Sequence, residues 1–116
     1  MALLKQLFIA GFLMVILSAH TEALPEQNRF CHVFGSIAIT EDPRRSHYKV
    51  FIEDSEGLAD IIVFEEEIQL YADRRGIWHF MDNPGLADYV IFFEETKSFA
   101  DFSIYYTDIE SFAGCQ

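Results

Sequence analysis

The sequence predicts an all-β domain of six to seven short tandem β-repeats, closed into a compact ring-like or layered body. Three observations carry that prediction: a period of about thirteen residues, strand-like alternation inside each period, and a cysteine at either end of the array. Cut after each Ala-Asp, the chain reads YKVFIEDSEGLAD over Tyr48–Asp60 and IIVFEEEIQLYAD over Ile61–Asp73. After an insert, Arg74-Arg75-Gly76, it reads IWHFMDNPGLAD over Ile77–Asp88, YVIFFEETKSFAD over Tyr89–Asp101 and FSIYYTDIESFAG over Phe102–Gly114. A degenerate first copy, GSIAITEDPRRSH, fills Gly35–His47. Units this short cannot bury an apolar face alone, so neighbouring copies must cover one another.

Each copy opens on a strand. First, third and fifth places hold Tyr48, Val50 and Ile52 in one copy and Tyr89, Ile91 and Phe93 in another, while the fourth place is aromatic at Phe51, Phe64, Phe80, Phe92 and Tyr105. β-Branched and aromatic residues favour a pleated, packed surface. Successive side chains point to opposite faces, so odd and even places make two apolar stripes. A strand apolar on both faces is buried on both, which predicts two layers of chain wrapped over each other. A further terminal strand is expected around Val33, ahead of the first copy.

The second half of each copy is turn-forming and acidic: Asp54-Ser55-Glu56-Gly57, Asp82-Asn83-Pro84-Gly85, Glu94-Glu95-Thr96-Lys97. That composition predicts turns at the rim of a sheet. A bulky residue follows (Leu58, Tyr71, Leu86, Phe99, Phe112), then Ala59, Ala72, Ala87, Ala100 or Ala113, then Asp60, Asp73, Asp88, Asp101 or Gly114. A recurring Ala predicts close backbone approach, where a larger side chain would overfill the space. A recurring Asp at the start of a strand predicts a carboxylate accepting from backbone N–H groups. The first copy departs from the pattern with Ser46-His47.

Residues 1–23 read as a signal peptide, with Lys5 as the positive region, Leu7–Leu17 as the apolar run and Ala19 or Ala23 before the cleavage point. The run falls short of the roughly 20 residues of a spanning helix, so no stable membrane span is expected after cleavage. Residues 24–29 then form a short linker and residues 30–116 the β-repeat domain, in a secreted or periplasmic protein. The net charge of −11 survives processing, because the leader carries only Lys5 and Glu22. Such a surface excludes nucleic acid, which needs clustered Lys and Arg, and favours a protein or cationic ligand. In an exported chain Cys31 and Cys115 are expected to form a disulfide. A bond between the two ends of the array means that those ends meet.

The search for chemistry returns no catalytic, cofactor-binding or metal-ligating set. His32, His47 and His79 lack ligand spacing, and no nucleophile-elbow pattern frames a serine. His79 takes a strand place held elsewhere by Val or Ile and reads as a core histidine. One alternative makes the Asp series a calcium site on an extracellular module, although β-roll and EF-hand spacings are both absent. Another is a small hydrolase with a carboxylate site at the ring centre. Glu65-Glu66-Glu67 is the densest negative run and reads as a solvated turn. The Arg74-Arg75-Gly76 insert breaks the period, and a loop there is where binding specificity would be sought first.

The stretch CHVFGSIAIT, the repeated VFxE…AD, the copy IWHFMDNPGLAD and the closing IYYTDIESFAGC resemble a family of small exported bacterial proteins made of tandem Ala-Asp-punctuated β-repeats. Related repeats occur in torus-knotted β proteins. The resemblance spans about Phe30–Gln116 and implies a closed β body whose chain can be knotted. It carries over no activity and no functional residues. The functional expectation is therefore an exported, non-enzymatic structural or binding module.

Overall fold

The structure, a computed structural model, describes residues 29–116. The expected signal peptide (1–23) and all but the last residue of the expected linker (24–29) lie outside the described residues. Seven strands follow in order: β1 (Gly35–Ile39), β2 (Tyr48–Ile52), β3 (Ile61–Glu65), β4 (Ile77–Phe80), β5 (Tyr89–Phe93), β6 (Phe102–Tyr106) and β7 (Gly114–Cys115). The first six pair in parallel, in the ring order β1-β5-β2-β6-β3-β4 and back to β1. They form a closed six-stranded barrel. Strand β7 lies outside it, antiparallel to the start of β3, with Ile61 opposite Cys115.

Strands β1 to β3 take alternate places in a first circuit, and β4 to β6 fill the remaining places in a second. Six places can be visited two at a time only if one step is odd, since otherwise the fourth strand would land on the first. The odd step is β3 to β4, direct neighbours in the ring. The Arg74-Arg75-Gly76 insert falls in that step.

Stagger is equally regular. The third residue of each strand faces the first of its ring neighbour: Ile37 opposite Tyr89, Ile91 opposite Tyr48, Val50 opposite Phe102, Ile104 opposite Ile61. At the seam the fourth residue of β3, Phe64, faces Ile77, and the second of β4, Trp78, faces Gly35. The displacement therefore always runs the same way, which tilts the strands as barrel closure requires.

Parallel strands usually need a crossover of a dozen residues or more. Here 40–47, 53–60, 81–88 and 94–101 suffice, because each connection crosses directly over the outer face of one strand and bonds to it. The first residue of every connection donates its N–H to the crossed strand: Thr40 to Ile91 O, Glu53 to Ile104 O, Glu66 to Trp78 O, Met81 to Ile37 O, Glu94 to Val50 O and Thr107 to Val63 O, all at 2.7–2.9 Å. Crossing runs round the ring, since β1's connection covers β5 while β5's covers β2. The second layer is thus made of connections rather than of a second sheet. It buries Ser36, Ala38, Ile62, Ile77, Val90 and Ser103 on the barrel's outer face.

Inside, Ile37, Val50, Val63, Trp78, Ile91 and Ile104 are fully buried. The N-terminal mouth is plugged by Phe30, Val33 and Phe34. Phe30 stacks on Phe102 and meets Tyr48 edge-on, and Trp78 Nε1 donates to Val33 O at 2.9 Å. The strand expected around Val33 is absent: Val33 N–H closes a turn to Phe30 O at 3.0 Å. Both edges of β1 are already taken by β4 and β5, so the preceding residues have no ladder to join and fold into the mouth. The short terminal strand lies instead at β7. There the Cys31–Cys115 disulfide, with Cα atoms 5.7 Å apart, ties plug to tail.

Candidate functional site

Because all six barrel strands run parallel, every copy's acidic half emerges at the same, C-terminal mouth. Glu41-Asp42, Glu53-Asp54, Glu66-Glu67, Asp82, Glu94-Glu95 and Asp108 all follow strand ends there. The last inward-facing place of each strand forms the inner ring: Ile39, Ile52, Glu65, Phe80, Phe93 and Tyr106, directed inward by strand alternation. Ile39 is 52% exposed, Ile52 40% and Tyr106 38%. Phe80 and Phe93 pack on the core from above. A mouth apolar except for Glu65 thus stands open inside an acidic ring, while the opposite mouth is stoppered.

Cations neutralise only part of that ring. Glu53, buried at its side chain, pairs with Lys97. Asp42 pairs with Arg44 at 3.2 Å and Arg45 at 3.8 Å. Hydrogen bonds from the Arg44 side chain and backbone hold the Asp42 carboxyl below the usual carboxylate range. Glu41, Glu94 and Glu95 have no ion pair among the described residues. Burial, and secondarily the Glu65 charge, push the Tyr106 phenol up to about 12, so it stays protonated at neutral pH. Between the ends of β1 and β5 lies a groove of about 470 Å³. Ile39, Phe92, Phe93 and Phe99 line it, with Glu41, Glu94 and Glu95 at its edges.

Over residues 30–116 the sequence matches the family described as the 7(1) septoil knot domain. The chain belongs to that family. No curated protein and no solved structure matches it. The symbol 7(1) denotes a seven-crossing knot, and in this septoil knot domain each connection passes over a neighbouring strand.

Within this septoil knot domain the Ala-Asp series holds connections down. Asp60, Asp88 and Asp101 each donate their N–H to a carbonyl of the crossed strand and accept that residue's N–H: Ser103 at 2.8 Å, Ser36 at 2.9 Å and Lys49 at 2.7 Å. His47 does the same work in the first copy, accepting Val90 N–H on Nδ1 at 2.8 Å. Asp73 has no such partner, because the insert's Arg74 O takes Ile77 N–H at 3.1 Å. Ala59 and Ala72 are buried, and Ala87, Ala100 and Ala113 half-buried. Gly114 has become the start of β7.

The insert is structural at both ends. Arg74 pairs with Glu110 of the last copy at 3.0 Å. Gly76 has φ +81°, and a Cβ there would overlap Gly114 N and Ile62 O. His79 is half-buried, its Nδ1 2.9 Å from Glu66 O. Among the described residues no three His, Cys, Asp or Glu side chains gather around a common point, and the ring centre is filled with apolar side chains. No helix among the described residues is long and apolar enough to cross a membrane. Sequence reasoning read the acidic turns as rim turns but did not gather them at one mouth. The period alone could not supply it, since short connections more often join antiparallel strands; the common direction comes from each connection crossing over a strand and bonding to it.

Proposed function

We propose that this septoil knot domain is an exported, non-enzymatic binding module that holds a cationic protein partner at its C-terminal mouth. The observation that carries the reading is an inner ring apolar at Ile39, Ile52, Phe80, Phe93 and Tyr106 and charged only at Glu65, set inside a largely unneutralised acidic rim. Exposed apolar surface rimmed by polar groups marks interaction sites, and a one-sign rim steers partners of the opposite charge. Export is supported by the leader pattern of residues 1–23 and by a disulfide, which persists in oxidising compartments.

The test is calorimetric titration with an alternating lysine–glycine peptide at low and at physiological salt. Binding that weakens with salt is expected. The triple variant Glu41→Lys, Glu94→Lys, Glu95→Lys should weaken it by at least about tenfold. Asp73→Lys, a charge reversal at the plugged end, should change it little. Absence of binding at low salt, or equal loss in both variants, would overturn the reading.

A further inference from the structure

Resting on that reading, we infer that the groove between the ends of β1 and β5 takes an aromatic side chain flanked by basic residues of an extended peptide. A volume of about 470 Å³ lies within the span of ligand clefts, roughly 300–1,000 Å³, and leaves room for an aromatic ring. Its apolar walls are Phe92 and Phe93, half-buried, with Ile39 52% and Phe99 68% exposed. Phe99 belongs to the 3₁₀ turn Lys97–Phe99, none of whose residues is buried. An apolar side chain lying against it is removed from water together with the ring it covers.

Charge decides the occupant. Glu41 stands on the connection that leaves β1, and Glu94 and Glu95 on the one that leaves β5, so carboxylates face the groove from both walls. None is neutralised by an ion pair among the described residues. A single small cation would satisfy one wall. A ligand with basic groups on either side of an apolar one satisfies both, and a peptide with Lys or Arg flanking Phe or Trp has that order of groups. An anionic lipid surface would meet repulsion from both walls.

The experiment compares the alternating lysine–glycine peptide with the same peptide carrying one central phenylalanine, by calorimetry. The phenylalanine should raise affinity about tenfold or more. Phe99→Ala, at an exposed position, should abolish that gain. Backbone amide shifts on binding should centre on Glu41, Phe93, Glu95 and Thr96. Binding of both peptides without a phenylalanine gain, or a gain that survives Phe99→Ala, overturns this inference and leaves the binding reading standing. Failure of both peptides to bind overturns the binding reading itself. Shifts at the same amides on raising protein concentration alone would make the occupant a second copy, and the inference would fall.

Discussion

A carboxylate that accepts a backbone N–H while its own N–H donates to the same residue makes a two-bond clamp. The barrel uses it wherever a connection returns over a crossed strand. Asp88 closes on Ser36, a buried residue, so removing the acceptor takes away the only side-chain partner of its N–H. Such an orphaned donor costs about 1–3 kcal/mol. Asp88→Ala should therefore lower stability by that amount in urea denaturation. The first copy supplies the sharper comparison, because there the acceptor is His47 Nδ1 facing Val90 N–H. An accepting Nδ1 requires the neutral ring with its proton on Nε2. His47→Ala should cost about as much as Asp88→Ala, while His47→Asp restores the pattern of the other copies and should stay within about 0.5 kcal/mol of the parent. A harmless His47→Ala would contradict the clamp.

The repeating element is a strand, an acidic turn and, in every copy but Ile77–Asp88, one 3₁₀ turn, and its sequence shows some of its parts more openly than others. Strands at Tyr48–Ile52 and Tyr89–Phe93 were legible from alternation, and Ala59 as a close-approach position from its recurrence. The fate of its neighbour was not. Leu58 is as hydrophobic as any core residue and recurs in kind as Tyr71, Leu86, Phe99 and Phe112, yet it is 62% exposed whereas Ala59 is 5% exposed. In the tight turn Leu58 N–H bonds to Ser55 O and Ala59 N–H to Glu56 O, and of two adjacent side chains only one can face the barrel. The small one does, because the connection lies too close to the crossed strand for the other. Ala59→Leu should accordingly overpack and cost about 1–3 kcal/mol. Leu58→Ala, which removes far more apolar surface from the sequence, should stay within about 0.5 kcal/mol. Urea midpoints of the two variants check this ordering, and the reverse ordering would refute the turn's orientation.

At the scale of the whole molecule, closure was legible and topology was not. Cys31 and Cys115 announced that the ends meet, but nothing in the repeat distinguishes β1 pairing with β2 from β1 pairing with β5, since every strand offers similar apolar stripes. The choice is made by connection length: eight residues returning over one strand reach the second place along the ring. The resulting pairs join residues 43 and 52 apart, as in the Ser103–Asp60 and Ser36–Asp88 bonds. Such long-range pairing is intrinsically slow to form. The disulfide, with a sequence separation of 84, spans all of it. While it is intact the chain from Cys31 to Cys115 is a closed loop, and crossings within a closed loop survive loss of every non-covalent contact. An oxidised chain unfolded in urea therefore keeps the crossings of the folded barrel, whereas a chain with free ends can lose them and must thread again. The double variant Cys31→Ser, Cys115→Ser should be less stable by about 2–4 kcal/mol, the usual range for a disulfide. It should also refold more slowly than the oxidised parent after prolonged unfolding. Trp78, the sole tryptophan and bonded to the plug residue Val33, reports both quantities by fluorescence. Equal refolding rates would show that regaining the crossings does not limit folding, and equal midpoints that the plug holds the barrel shut without its covalent tie.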